Sequence, residues 1–188
     1  MISAVVLAAG KSARMGRQKM LMPWGDTTVL GRVVQTLRNA GVNEIVLVTN
    51  STIASQMTNY QARVILNDEG EMLTSIQLGL RAQKASAEAI LICLGDQPQV
   101  EERSVRSVCE AFQKSKSNLI VPSYQMRRGH PWLVARPLWG EILAMQAGSL
   151  REFLNAYAGE IEYVNLDTPT ILQDLDTPED YLKYKPSL

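Results

Sequence analysis

The sequence predicts an α/β fold, a three-layer α/β/α arrangement built on a mostly parallel, Rossmann-like sheet. Short apolar runs alternate along the chain with amphipathic stretches, which is typical of strand and helix units in such a sheet. Segments rich in glycine and proline, residues 95–98 and 128–131, follow or separate the apolar runs. Open α/β sheets bind their ligands at such positions, so the pattern also predicts where function lies.

The individual elements follow from local patterns. Three helices are indicated by apolar residues at helical spacing: Val29, Val33, Leu37 and Ala40; Met72, Ile76 and Leu80; Val105, Val108 and Phe112. Gly41 is expected to close the first helix. Seven apolar runs are predicted strands: 2–8, 44–49, 62–66, 89–94, 118–122, 132–135 and 161–166. Because the 188 residues contain no repeat and no linker, we expect one domain, 1–188.

Composition and charge exclude several classes of partner. The 19 basic and 19 acidic residues balance, which gives no general attraction to nucleic acid or to an anionic membrane. Cys93 and Cys109 have no Cys or His at ligand spacing, which argues against a zinc site and for a reduced, cytosolic protein. No run approaches the roughly 20 apolar residues of a membrane span. We therefore expect a cytoplasmic protein without nucleic-acid or membrane partners.

The main functional signal is the segment 7–19, LAAGKSARMGRQK, directly after the first predicted strand. Gly10 and Gly16 allow the backbone to approach an anion closely. Five residues separate these glycines, so the segment is not a P-loop, and Ser12 stands where a Rossmann fingerprint needs glycine. Four cations surround the segment: Lys11, Arg14, Arg17 and Lys19. We interpret it as another kind of triphosphate-binding loop; the alternative is a solvated basic loop.

Three carboxylates are candidates for a metal site. Asp96 follows the apolar strand 89–94, and Mg²⁺ is usually held by one or two carboxylates together with substrate phosphates. Asp174 and Asp176 alternate, so an extended chain would point both to one side. Two of them have a local alternative. Asp96 could cap a helix beginning near Glu101 or turn the chain with Pro98, and Asp176 could be a turn or cap residue before the helix-start pattern at Thr177.

The motif L-A-A-G-x-S-x-R-M-G-x-x-K resembles the signature of the MobA-like NTP transferase superfamily, whose members attach a nucleotide to the molybdenum cofactor. It is similar, more loosely, to the signature of sugar-nucleotide pyrophosphorylases. The segments L-G-D-Q-P, R-G-H-P and D-L-D-T-P-E-D resemble further family motifs, so the resemblance covers nearly the whole chain. It implies the fold of the nucleotide-diphospho-sugar transferases. Residues 146–151 depart from the family's G-D-x-G-x-R stretch, since they lack its acidic residue.

The resemblance also implies roles for particular residues. Lys19 would stabilise charge at the α-phosphate, Arg14 would hold the outer phosphates, and Asp96 would complete the catalytic set. Mg²⁺ would bind Asp96, assisted by Asp176 or Asp174. The acceptor would contact Arg128 and His130. The nucleotide would contact the helix predicted around 72–80 through Ser75. It would contact the loop through Leu7, Ala8, Ala9, Gly10, Ser12 and Gly16. For Ser75, a purely structural hydrogen bond remains an equal alternative.

The implied activity is the transfer of CMP from CTP to the terminal phosphate of molybdopterin, with release of pyrophosphate. The Ala-Ala-Gly after Leu7 is similar to cytidylyltransferases and favours CTP, while GTP or another nucleotide stays open. The resemblance also implies a molybdoenzyme as a partner that receives the product. Two alternatives are a sugar-phosphate nucleotidylyltransferase and an escort protein that binds molybdenum cofactor without chemistry. Intact Arg14, Lys19 and Asp96 favour an enzyme over the escort.

Overall fold

We describe the fold from a computed structural model, for residues 1–10, 15, 18–56, 61–115 and 117–186. The strands are β1 (Ile2–Ala8), β2 (Pro23–Trp24), β3 (Thr27–Thr28), β4 (Ile45–Thr49), β5 (Arg63–Leu66), β6 (Ala89–Leu94), β7 (Leu119–Tyr124), β8 (Arg127–Arg128), β9 (Trp132–Ala135) and β10 (Glu162–Asn165). The helices are α1 (Val29–Asn39), α2 (Ser51–Gln56), α3 (Met72–Arg81), α4 (Glu102–Ser115), α5 (Trp139–Ala144), α6 (Leu150–Ala156) and α7 (Pro178–Tyr184).

The central sheet has the strand order β10-β7-β9-β6-β1-β4-β5, and β8 pairs with β7 at one end of the sheet. Strand β1 is an inner strand and runs parallel to both of its neighbours, β6 and β4. Strand β9 is antiparallel to β6 and to β7, between which it lies. The sheet is therefore mostly parallel, as predicted, and the carboxyl ends of β1 and β6 meet at one edge.

Two buried layers cover the sheet because β1 alternates its side chains between the two faces. Ala4 and Val6 belong to one apolar cluster, which contains residues of α1 and α4. Val5 and Leu7 belong to a second cluster, which contains residues of α3, α5 and α6. This arrangement confirms the three-layer α/β/α fold. None of the described helices is long and apolar enough to cross a membrane.

All seven predicted strands and the three predicted helices are confirmed. Gly41 follows the end of α1 with a φ of +93° and donates its N–H to the carbonyl of Arg38, 2.9 Å away, as a helix-closing glycine does. The predicted helix start at Thr177 is also confirmed, since its hydroxyl accepts the N–H of Asp180 in α7. Sequence periodicity did not identify the shortest elements, namely β2, β3, β8, α2, α5 and α6.

Candidate active site

The site begins where the ends of β1 and β6 come unusually close together. Gly95 donates its N–H to the carbonyl of Leu7 at 2.9 Å. A Cβ atom at Gly95 would lie 3.0 Å from both the Leu7 oxygen and the Ala8 Cβ, so a larger residue would push the two strand ends apart. This close approach fixes the start of the loop that carries Asp96.

Lys19 lies between two of the predicted metal carboxylates. Its ammonium nitrogen is 2.6 Å from Asp96 Oδ2 and 3.3 Å from Asp176 Oδ1. The residue is only 9% exposed and begins a short 3-10 turn, Lys19–Leu21. Three predicted site residues from distant parts of the chain therefore form one ionic group.

A contact that the sequence analysis did not identify holds the third carboxylate. Gln97 is 3% exposed and donates its Nε2 to Asp174 Oδ1 at 2.6 Å. The backbone N–H of Leu175 bonds to the carbonyl of Asp96 at 3.1 Å. These two bonds fasten the C-terminal segment to the loop after β6. The position of Gln97 between Asp96 and Pro98 was the signal that could have identified it.

The carboxylates crowd one another. Burial is the main cause that raises the pKa of the Asp174 carboxyl, although part of the residue is exposed. Repulsion from the charges of Asp96 and Asp176 raises that pKa further, while Gln97 and Lys19 act in the opposite direction. The Asp174 carboxyl therefore binds a proton more readily than an isolated carboxylate does.

The donor set fits a metal that shares its shell with phosphate. Among the described residues, no group of three or more His, Cys, Asp and Glu side chains could hold a metal ion by itself. Asp96 and Asp176 nevertheless converge on one positive charge, that of Lys19. Two carboxylates with phosphate oxygens and water are an ordinary environment for Mg²⁺. Asp174 bonds to Gln97 beside them.

A cavity of about 420 Å³, here called the carboxylate cavity, opens over these groups. Its lining includes the predicted residues Leu7, Ala9, Gly10, Lys19, Ser75, Asp96, Asp174 and Asp176. Ala8 is fully buried and does not line it. Ser75 accepts a 2.8 Å bond from Asn67 Nδ2, so the structural role that we left open is present. Ser12, Arg14 and Gly16 lie outside the described residues.

A larger cavity of about 680 Å³, the arginine cavity, adjoins the first one and takes its name from Arg127, Arg128 and Arg151. Both predicted acceptor residues, Arg128 and His130, line it. The two cavities have four lining residues in common: Leu7, Met72, Leu94 and Asp174. Molecules in the two cavities would therefore meet beside Asp174.

The predicted acceptor residues differ in how they are held. Arg128 donates to the Tyr163 hydroxyl at 2.9 Å and to Asn155 Oδ1 at 2.8 Å, so its guanidinium ties β8 to β10 and α6. The ring of His130 stacks on Trp132 with 4.4 Å between centroids. Burial lowers the pKa of His130 to about 3. The ring is therefore neutral at pH 7 and a weak base, which suits binding better than proton transfer.

Comparison with known proteins identifies the family of the chain. Residues 4–161 match the family model described as the MobA-like NTP transferase domain. The chain is 26% identical to the molybdenum cofactor cytidylyltransferase of Escherichia coli K12 over 191 residues, which cover 98% of this chain and 95% of the relative.

Solved structures show the same fold. A nucleotidyl transferase from Methanothermobacter superimposes with a TM-score of 0.84 at 26% identity, covering 98% of this chain and 96% of the other. A manganese complex of the protein Rv0371C from Mycobacterium tuberculosis H37Rv gives a TM-score of 0.78 at 28% identity, covering 100% and 99%. With a lysine between two carboxylates and a second cavity beside them, this chain belongs to the MobA-like NTP transferase family and is a nucleotidyltransferase.

Proposed function

We propose that the protein transfers CMP from CTP to the terminal phosphate of molybdopterin or molybdenum cofactor, releasing pyrophosphate. The main observation in support is the pair of adjoining cavities. Their common wall includes Asp174, which lies beside the ion pair of Lys19 and Asp96. A transferase needs two substrates to meet at the reacting atoms, and this wall is where they would do so.

The residues of the chain supply position and positive charge. The acceptor phosphate attacks the α-phosphorus in line, and pyrophosphate leaves from the opposite side. Lys19 stabilises the negative charge that develops on the α-phosphate oxygens, and Arg14 holds the outer phosphates. Asp96 and Asp176 would hold a magnesium ion, which supplies further positive charge against the phosphates when bound. No general base is needed, because a terminal phosphate with a second pKa near ~6 is already largely ionised.

Two observations support the choice of substrates. The full-length similarity to the Escherichia coli cytidylyltransferase favours CTP and molybdenum cofactor, as does the sequence Ala8-Ala9-Gly10. The arginine cavity offers an acceptor a stacked pair of flat side chains, His130 and Trp132, beside cationic ones.

The product would pass to a molybdoenzyme. We further propose that the chain acts as one domain, 1–188, in the cytoplasm, where its free cysteines would stay reduced.

The test is pyrophosphate release with Mg²⁺ and molybdenum cofactor, offering CTP, GTP, ATP and UTP separately. We expect release with CTP. Asp96→Asn should abolish it, while Asp26→Asn, an exposed aspartate paired with Arg32, should leave it unchanged. Release with GTP alone would contradict the choice of nucleotide.

Two other outcomes would replace the proposal. Release only when sugar phosphates are offered instead of the pterin would identify a sugar-phosphate nucleotidylyltransferase. Tight binding of the cofactor without release from any nucleotide would identify an escort protein.

A further inference from the structure

The three arginines of the arginine cavity are not equivalent. Arg128 bonds to Tyr163 and Asn155 and thereby forms part of the cavity wall. Arg127 and Arg151 are exposed, and neither has a side-chain hydrogen bond or ion pair to another described residue. Two guanidinium groups that line one cavity are therefore available to a ligand.

Acidic residues do not balance this charge. Asp174 is the one acidic residue among the described lining of the arginine cavity, and it lies on the wall shared with the carboxylate cavity, bonded to Gln97. His130 adds no charge, because burial lowers its pKa far below neutrality. The part of the cavity that is not shared is consequently positive.

Arg127 and Arg151 lie away from the position at which the proposed reaction would take place. The reacting phosphate of the acceptor must lie at the shared wall, close to Lys19 and Asp174. Arg127 and Arg151 line the arginine cavity but not the carboxylate cavity. The negative charge that would pair with them is therefore not the one that attacks.

We propose that Arg127 and Arg151 bind a second anionic group of the acceptor, remote from the reacting phosphate. This inference rests on the proposed function, since it assigns the arginine cavity to the acceptor. Arg127 comes from β8 and Arg151 from the first turn of α6, so the pair approaches the ligand from two separate elements. The implied substrate class is a flat, aromatic-like acceptor with a phosphate at one end and another negative group elsewhere. Guanidinium groups suit such recognition because they pair with planar anions through two hydrogen bonds.

The first experiment compares Arg127→Gln, Arg151→Gln and the double variant in the complete protein, with molybdenum cofactor and CTP as substrates. Each single variant should raise the KM for the acceptor on the order of tenfold, as expected for a charge-assisted hydrogen bond. The KM for CTP should stay within about twofold, because the arginines lie outside the carboxylate cavity. Arg81→Gln is the matched control, since Arg81 is an exposed arginine that lines neither cavity. An unchanged acceptor KM in the double variant would overturn the proposal, and so would an equal rise in both KM values.

A second measurement keeps the inference testable if molybdenum cofactor is not the acceptor. Inorganic phosphate is titrated into protein whose nucleotide site is filled with a non-hydrolysable CTP analogue, and binding is followed by phosphorus NMR. Binding that is lost in the double variant and kept in Arg81→Gln supports the arginine pair even if the proposed acceptor is wrong. Binding that is equal in all variants, or absent from the wild type, overturns it.

Discussion

The two cavities differ in whether their charged side chains bond to other side chains of the protein. In the carboxylate cavity, each charged side chain bonds to another side chain of the protein: Lys19 to Asp96 and Asp176, and Asp174 to the neutral Gln97. In the arginine cavity, Arg127 and Arg151 have no such bond to a described residue. Under the proposed function, the chain itself would hold the reacting groups in place, while Arg127 and Arg151 would find their partners only in the bound acceptor.

This difference follows from what each cavity has to do. Groups that stabilise developing charge act best when they are held in place before the reaction, because no energy is then spent on reorienting them. Groups that bind a substrate gain from being free to close on it and to release the product. If the charged groups of the carboxylate cavity depend on one another, a change at one of them should alter the others. If the arginine cavity is independent of them, changes there should affect only the acceptor.

The largest effect is expected for Lys19→Met. We expect kcat to fall on the order of a hundredfold or more, by analogy with the loss of one oxyanion donor. Because the Lys19 ammonium lies on Asp96 and Asp176, its removal should also tighten Mn²⁺ binding in the absence of nucleotide, measured by electron paramagnetic resonance. Lys84→Met, at an exposed lysine paired with Glu44, is the control. Unchanged turnover, or weaker Mn²⁺ binding, would show that the ionic group is not coupled in this way.

A smaller effect, confined to the arginine cavity, is expected for His130→Asn. Loss of the ring that stacks on Trp132 should raise the acceptor KM by a few-fold and leave the CTP KM unchanged. Since the pKa of His130 is about 3, the imidazole stays neutral between about pH 5 and 8. Wild type and variant should therefore show the same pH dependence of kcat. An inflection near neutrality that disappears in the variant would mean that His130 transfers a proton.

The smallest effect concerns stability and tests the crowding of the carboxylates. Burial and two neighbouring charges raise the pKa of Asp174, so its ionised form costs stability that the protonated form does not. At pH values below the ordinary aspartate pKa, Asp174→Asn should have the same free energy of unfolding as the wild type. As the pH rises through the raised pKa, the variant should become more stable, by less than about 1 kcal/mol because the residue is partly exposed.

Thermal unfolding in EDTA measures this difference without metal. Asp68→Asn is the control of opposite sign, because the bond from the Ser51 N–H lowers the pKa of Asp68 and makes its ionised form the stabilising one. A Tm of Asp174→Asn at or below that of the wild type at neutral pH would show that the carboxylates are not under repulsion.

The sequence predicted the parts of the molecule that depend on local patterns or on a recognised motif. Apolar runs located the strands, and the motif resemblance assigned Lys19, Asp96 and Asp176 to one site, in which the structure brings them into contact. Spatial order was less predictable, because nothing local places β9 between β6 and β7. The sequence also did not predict the different contacts of Arg127 and Arg128. These contacts depend on which side of β8 faces Tyr163, which lies on β10, later in the chain.

The bond between Lys19 and Asp176 joins residues that are 157 positions apart. Contacts across so long a separation require closure of a large loop, so they form late compared with the pairing of nearby elements. During synthesis, the loop and Asp96 leave the ribosome well before the segment that carries Asp174 and Asp176. A growing chain therefore carries Lys19 and Asp96 before it carries the other two carboxylates. The ionic group of Lys19, Asp96 and Asp176 can therefore form only after the chain has been synthesised as far as residue 176.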